Sequence, residues 1–295
     1  MTNKFFNTDI DCLHEVSLKN SNTYHVECLA KYLVTPKDVS ELIEILKIIK
    51  ENNLKYFVLG NGSNIILATE YYDGVVIKLD NFNNVEYDDF TVKVEAGYPL
   101  IKLSIETIQR GLSGLEFASG IPGLVGASTA MNAGAYKEDM SKVVECVKVL
   151  TPDLKIKYLT NEELNYSYRD SFLKQNKDYI VLETTMHLSS GNTIDMLESI
   201  KEKRIKRQTT QPLDMPSAGS TFRNPENEFA GALIENLNLK GFNIGGAEVS
   251  KKHANFIVNN GNATGENIVS LIEKIKKEVK DNYHIDLILE QIIIK

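Results

Sequence analysis

Apolar residues recur at helical spacing from Leu42 through about Asn53, where Leu42, Ile43, Leu46 and Ile49 share one side. Thr35-Pro36-Lys37-Asp38 precedes them as a helix start, with a hydroxyl N-cap, a proline at the first position and an acid in the first turn. Short apolar runs predict strands over 55–59, 75–79 and 91–96, and the pattern over 100–110 returns to helical spacing. Runs over 143–150 and 156–159 predict a hairpin around Pro152-Asp153, Thr160-Asn161-Glu162-Glu163 caps a short helix, and 179–187 is a further strand. A charged helix over 194–207 leads to a change of composition at Gln211-Pro212 and Pro216, which marks a module boundary. Beyond it the pattern predicts a helix over 230–236, a glycine-rich turn over 241–246 and a strand over 255–258. A helix from Thr264 to about 281 and a closing apolar strand over 285–294 follow. Strands and helices mixed throughout, with no internal repeat, place the chain in the α+β or α/β class.

Composition narrows this reading mainly by exclusion. A length of 295 residues calls for two or three sub-domains rather than one core. The net charge of −7, from 33 basic and 40 acidic residues, argues against broad binding of nucleic acid or anionic membrane, while leaving room for a local basic pocket. No apolar run has the length of a membrane span, and residues 1–7 lack the pattern of a secretion signal. Cys12, Cys28 and Cys146 are odd in number and scattered, as expected in a reducing cytosol. The five histidines form no metal-ligand spacing, so no metal is expected and the localisation expected is cytoplasmic.

Candidate chemistry sits in three loops. Gly60-Asn61-Gly62-Ser63-Asn64 follows a strand, so its backbone N–H groups can converge on an anion. A lone glycine turn is usually only a turn, and Ile65 at the place of the third glycine disfavours a Rossmann nicotinamide domain. The run 113–136 is dense in small residues, which serves either tight packing or the close approach of a flat, phosphate-bearing cofactor. Ser119, Ser128 and Asn132 are candidates for the polar edges of such a group. The third loop, Pro216 to Pro225, displays Ser220. A nucleophile elbow needs glycines where Ala218 and Phe222 stand, so Ser220 reads as a proton donor or as a turn hydroxyl bonded to nearby backbone.

Together these loops resemble one family, the UDP-N-acetylenolpyruvoylglucosamine reductases (MurB family). The likeness rests on Leu59 to Asn64, Gly120-Ile121-Pro122-Gly123, Met131 to Tyr136, Tyr168-Arg169-Asp170-Ser171 and Pro216 to Ser220. Further on, Ala232 to Glu235, Leu239-Lys240-Gly241, Gly245-Gly246-Ala247 and Val249 to Phe256 extend it over nearly the whole chain. The chain departs from the family pattern at several points. Glu27-Cys28 and Gly126-Ala127 each stand where the family has a glycine pair, and Lys137 stands for a glycine. Glu290-Gln291-Ile292 replaces Glu-Val-Arg. The loop after Ser171 resembles the shorter, type II form.

The resemblance implies an α+β protein: an FAD-binding domain of the PCMH/vanillyl-alcohol-oxidase type over 20–190, in two α+β subdomains, and a C-terminal α+β substrate domain over 191–295. Its last strand would pack back on the first subdomain. It implies noncovalent FAD, NADPH as reducing co-substrate entering the substrate cleft in alternation, and a UDP-sugar carrying an enolpyruvyl ether. Cofactor contacts are expected from Gly60, Asn61, Gly62, Ser63, Asn64, Ser119, Gly120, Ile121, Pro122, Gly123, Gly126, Asn132 and Gly134. Arg169 would grip the substrate carboxylate, Ser220 would donate the proton, and Glu290 would help polarise the developing enolate as a hydrogen-bonded or protonated acid. Tyr168, Arg223, Asn224 and His253 are expected at the substrate. Each has an ordinary structural reading beside the functional one, such as an Arg169–Asp170 pair. The rival activities are an alcohol or hydroxy-acid oxidase of the same cofactor-binding fold, which needs a base that the loops do not supply, and a non-enzymatic nucleotide binder.

Overall fold

The computed structural model describes residues 3–6 and 8–295; within the stretch read above for a secretion signal, Met1, Thr2 and Asn7 lie outside the described residues. Two compact units draw on interleaved lengths of chain. One contains Met1–Leu13, Leu33–Gly60 and Val75–Arg204, the other His14–Tyr32, Asn61–Gly74 and Ile205–Lys295. The division expected at 190/191 follows chain order. The packing instead returns 14–32 and 61–74 to the C-terminal segment, because the Ile65–Leu67 strand pairs in parallel with Ile292–Ile294.

The first unit is built on a fully antiparallel five-stranded sheet in the order Ile156–Thr160, Val144–Leu150, Ile180–His187, Thr91–Glu95, Val85–Asp88. Alternation sets its buried face: Val92 and Val94 on one strand and Val147 and Val149 on another are inaccessible, while Lys93 between the first two is exposed. The short helix Val125–Ala130 packs on the Ile180–His187 strand, where the Thr129 and Thr184 hydroxyls meet at 3.0 Å. Glycine at 126 permits the approach, since a Cβ there would stand 2.7 Å from Ala96 Cβ.

The helix expected from Thr35 begins later, at Val39, and runs to Glu51. Asp38 is the N-cap, its carboxylate accepting the Glu41 N–H at 2.9 Å, so Thr35 and Pro36 lie outside the helix. Its buried stripe is Leu42, Ile45, Leu46, Ile48 and Ile49. A further five-stranded sheet follows the order Asn3–Lys4, Asp11–Ser17, Leu29–Val34, Tyr71–Ile77, Lys55–Val58.

In the second unit, Asn243–Ile244, Ala247–Val249 and Ile257–Asn259 form an antiparallel sheet. The helix Gly265–Tyr283 opens on a capping box of Thr264 and Asn267 and closes on left-handed His284. Ile268, Leu271, Ile272, Ile275 and Val279 bury its apolar stripe. The strand expected over 285–294 is confined to Ile292–Ile294, because this segment changes partners. Leu289 first faces Phe222 in a single antiparallel bridge, and only then does the chain join the Ile65–Leu67 strand. Among the described residues no helix is long and apolar enough to cross a membrane, and no group of metal-ligating side chains forms.

Candidate active site

In the first unit the small-residue run folds as a 3-10 turn over Glu116–Gly120, an extended stretch through Ile121, Pro122 and Gly123, and the Val125–Ala130 helix. The Ser119 hydroxyl donates a hydrogen bond to Glu116 O at 2.9 Å. The Ala127 methyl faces Gly60, whose Cβ, were it present, would stand 3.5 Å away. Asn132 is buried with φ of +46°, and its amide joins three segments: Nδ2 donates to Ser167 O at 2.8 Å and Oδ1 accepts from Ser141 N at 3.0 Å.

That clamp fixes the start of the Tyr168-Arg169 turn. Arg169 adopts φ of +56°, and its Nη2 donates to Gly134 O. Its guanidinium lies 5.3 Å from the centroid of the half-exposed Tyr168 ring. The Asp170 carboxylate accepts from Ser171 N at 3.0 Å and Gln175 Nε2 at 3.2 Å. Ser171 caps the Phe172–Gln175 turn and donates to Ala130 O at 2.6 Å. The second glycine loop and the Tyr168-Arg169 pair are thus one hydrogen-bonded constellation. Lys137, which stands where the family pattern has glycine, keeps a left-handed backbone with φ of +67°.

In the second unit Gly62 has φ of +64° and lies flush against the Ser21 carbonyl, so no side chain fits there. The N–H groups of Gly62 and Ser63 have no acceptor among the described residues, which leaves two backbone donors for an anionic ligand. Asn64 is tied to the C-terminal segment: its Nδ2 lies 3.4 Å from Glu290 O, and its carbonyl accepts Ile292 N–H at 2.9 Å. At the Glu27-Cys28 departure, burial and then the Glu27 charge push the Cys28 thiol up to about 11, which keeps it protonated.

Ser220 and Glu290 come together here, for Glu290 N–H donates to Thr221 O at 2.9 Å. The turn before them is left-handed at Gly219, with φ of +76° and open space beside it. Among the described residues the Ser220 hydroxyl has no hydrogen-bond partner, so it is not the backbone-bonded turn hydroxyl of the bland reading. Arg223 has a buried Nε likewise without a partner among the described residues. Asn224 Oδ1 accepts the N–H of Ala230, the first residue of the Ala230–Asn236 helix, at 3.1 Å. His253 accepts Asn255 N–H at Nδ1, 3.2 Å away, and burial, followed by the Lys240 charge, holds its pKa below the usual value.

Three supporting residues were not assigned roles from sequence. Asn255 bonds both main-chain groups of Phe222, and Gln291 and Tyr24 meet behind Ser220. A polar residue inside an apolar run was a usable signal for Asn255 and Gln291; Tyr24 carried none.

An N-terminal α+β part with small-residue loops and a separate C-terminal α+β part define a flavoprotein fold, an FAD-binding domain of the PCMH type followed by an α+β domain. Residues 30–159 match the family model for an FAD binding domain, and residues 211–294 match that for the C-terminal domain of UDP-N-acetylenolpyruvoylglucosamine reductase. A cholesterol oxidase described as solvent-stable shares the fold at a TM-score of 0.51 and 13% identity, over 64% of this chain and 40% of its own.

The chain belongs to the UDP-N-acetylenolpyruvoylglucosamine reductase family. It is 44% identical to UDP-N-acetylenolpyruvoylglucosamine reductase 1 of Bacillus cereus over 90% of this chain and 88% of that one. It is 42% identical to the reductase of Clostridium perfringens, over 90% and 87%. The crystal structure of the Thermus caldophilus enzyme superposes with a TM-score of 0.82 at 32% identity, covering 97% of this chain and 99% of that one.

Proposed function

We propose that the protein reduces the enolpyruvyl ether of UDP-N-acetylglucosamine enolpyruvate to UDP-N-acetylmuramate, a peptidoglycan precursor, with NADPH as reductant and noncovalent FAD. Family membership supports the reaction class. The observation that carries the residue roles is Ser220, a hydroxyl with no partner of its own among the described residues, on a backbone whose neighbouring carbonyls are bonded. Noncovalent FAD, which the glycine loops would hold, would supply the hydride-transfer chemistry between NADPH and the terminal carbon of the alkene.

The remaining steps fall to side chains. The Arg169 guanidinium pairs with the substrate carboxylate, its planar fork matching two oxygens. As charge builds on the carbon next to that carboxylate, Glu290 polarises the enolate-like species and Ser220 Oγ transfers its proton to the carbon. Arg223, with its unpartnered buried Nε, and Asn224 take the UDP phosphates, while Tyr168 and His253 bound the more distant substrate. Gly60, Asn61, Gly62, Ser63 and Asn64 approach the cofactor phosphates through backbone N–H groups. Ser119, Gly120, Ile121, Pro122, Gly123, Gly126, Asn132 and Gly134 would supply further cofactor contacts.

The test separates the two halves of the reaction in the absence of oxygen. NADPH should bleach the yellow protein, and the enolpyruvyl UDP-sugar should restore the colour. Ser220→Ala should still be bleached by NADPH, with recolouring slowed by about 100-fold or more. Equal slowing of both halves, or recolouring at the parent rate, defeats the assignment.

A further inference from the structure

Gln291 stands where the family pattern has valine, between Glu290 and the apolar Ile292–Ile294 run, and it is only 3% exposed. Its Nε2 donates to Ala218 O at 3.1 Å and lies 3.4 Å from both Gly219 O and Ser220 O. Its Oε1 accepts the phenolic proton of Tyr24 at 3.0 Å. Tyr24 is fully buried, and burial pushes its phenol far above the ordinary range, so it stays a neutral donor at physiological pH. The Thr221 hydroxyl lies beside the same phenol without an aligned hydrogen bond.

The donor pattern allows one orientation of the Gln291 amide. With the amide flipped, its oxygen would face the carbonyls of the turn; as it stands, Tyr24 supplies the donor that the oxygen needs. Tyr24 is itself anchored to the same turn. Asn259 Nδ2 donates to Tyr24 O at 2.8 Å, and Asn259 N–H donates to Pro216 O at 2.9 Å. Pro216 is held at one end and Thr221 at the other, the latter through Asn255 O at 2.8 Å and Glu290 N. Between them lies left-handed Gly219, the softest point of the segment, and Gln291 is the side chain that spans it.

We propose that Gln291, oriented by Tyr24, is a positioning residue that holds the 218–220 backbone so that Ser220 Oγ keeps the attitude from which it gives up its proton. The inference rests on the reading of Ser220 as proton donor.

In the full-length holoenzyme, Gln291→Met removes both hydrogen-bonding functions at similar volume. Bleaching by NADPH should stay within about twofold of the parent, while anaerobic recolouring by the enolpyruvyl UDP-sugar slows about tenfold. The solvent isotope effect on recolouring should rise, because proton delivery becomes the slower event. Tyr24→Phe, which loses only the hydroxyl, should slow the same half by about threefold. In apoprotein, hydrogen exchange across 217–222 should quicken in both variants without a matching change in the Gly265–Tyr283 helix. Parallel slowing of both halves in both variants, or recolouring at the parent rate with an unchanged isotope effect, overturns the positioning role. Ser220→Ala is run beside them. Should recolouring survive that substitution, the Ser220 reading itself fails; should it collapse there and stay intact in both other variants, only the positioning role fails.

Discussion

Asn255→Ala tests whether one side chain closes the far edge of the strand that carries Ser220. Phe222 and Leu289 face each other in an antiparallel bridge flanked by two backbone bonds, Arg223 N to Ile288 O and Glu290 N to Thr221 O, both 2.9 Å. In such a pair the main-chain groups of Phe222 point the other way. There the Asn255 amide takes both: Oδ1 accepts Phe222 N–H at 3.0 Å, and Nδ2 donates to Phe222 O at 2.8 Å. Phe222 is 1% exposed and Asn255 4%, so substitution leaves a donor and an acceptor where water does not reach. Each orphaned group costs about 1–3 kcal/mol, so the expected loss is about 2–4 kcal/mol once some relaxation is allowed. Urea unfolding of the apoprotein, followed by far-UV circular dichroism, reads the loss as a lower midpoint at constant slope. Asn255→Asp keeps the acceptor for Phe222 N–H but sets a carboxylate against Phe222 O, and it should lose at least as much at neutral pH. A loss below about 1 kcal/mol for the alanine variant, with the slope unchanged, refutes the reasoning, since the two groups would then have found other partners.

Lys137→Gly should stabilise the protein by about 0.5–1 kcal/mol. The left-handed strain released at φ of +67° outweighs the extra freedom of glycine in the unfolded chain, and an unchanged or lower urea midpoint would show that the backbone there is relaxed. For His253, burial and then Lys240 depress the pKa, so the native state disfavours the proton that the unfolded state accepts. The stabilisation is present above the ordinary histidine value of about 6.5 and is lost as pH falls through the lower native one. Protonation at Nδ1 would also remove the acceptor of Asn255 N–H. Unfolding free energies between pH 8 and 5 should therefore fall more steeply in the parent than in His253→Asn, and identical slopes would remove His253 as the cause.

The two kinds of element differ in how much of them could be read beforehand. Where a side faces one partner, periodicity suffices: the apolar stripe of Gly265–Tyr283 and the antiparallel strands from Thr91 to His187 stand close to their expected bounds. It fails where one stretch serves two partners, as in 285–294, and where several residues offer the same capping chemistry, as in Thr35 to Asp38. The site divides similarly. The expectations at Ser220 and Arg169 rest on the motifs that surround them, and the one at Glu290 rests on the acidic residue alone, since its neighbours Gln291 and Ile292 depart from the family pattern. Gln291 and Tyr24 lie 267 positions apart, and no local pattern pairs a buried amide with a phenol so distant. The departures from the family pattern then have distinct physical meanings. At Lys137 the backbone keeps a glycine-like conformation without the glycine, so the fold imposes the shape and the side chain tolerates it. At Gln291 an apolar position has gained an amide. A buried amide persists only where its donors and its acceptor are all met, which makes the Ser220 turn and Tyr24 conditions of its presence rather than incidental neighbours.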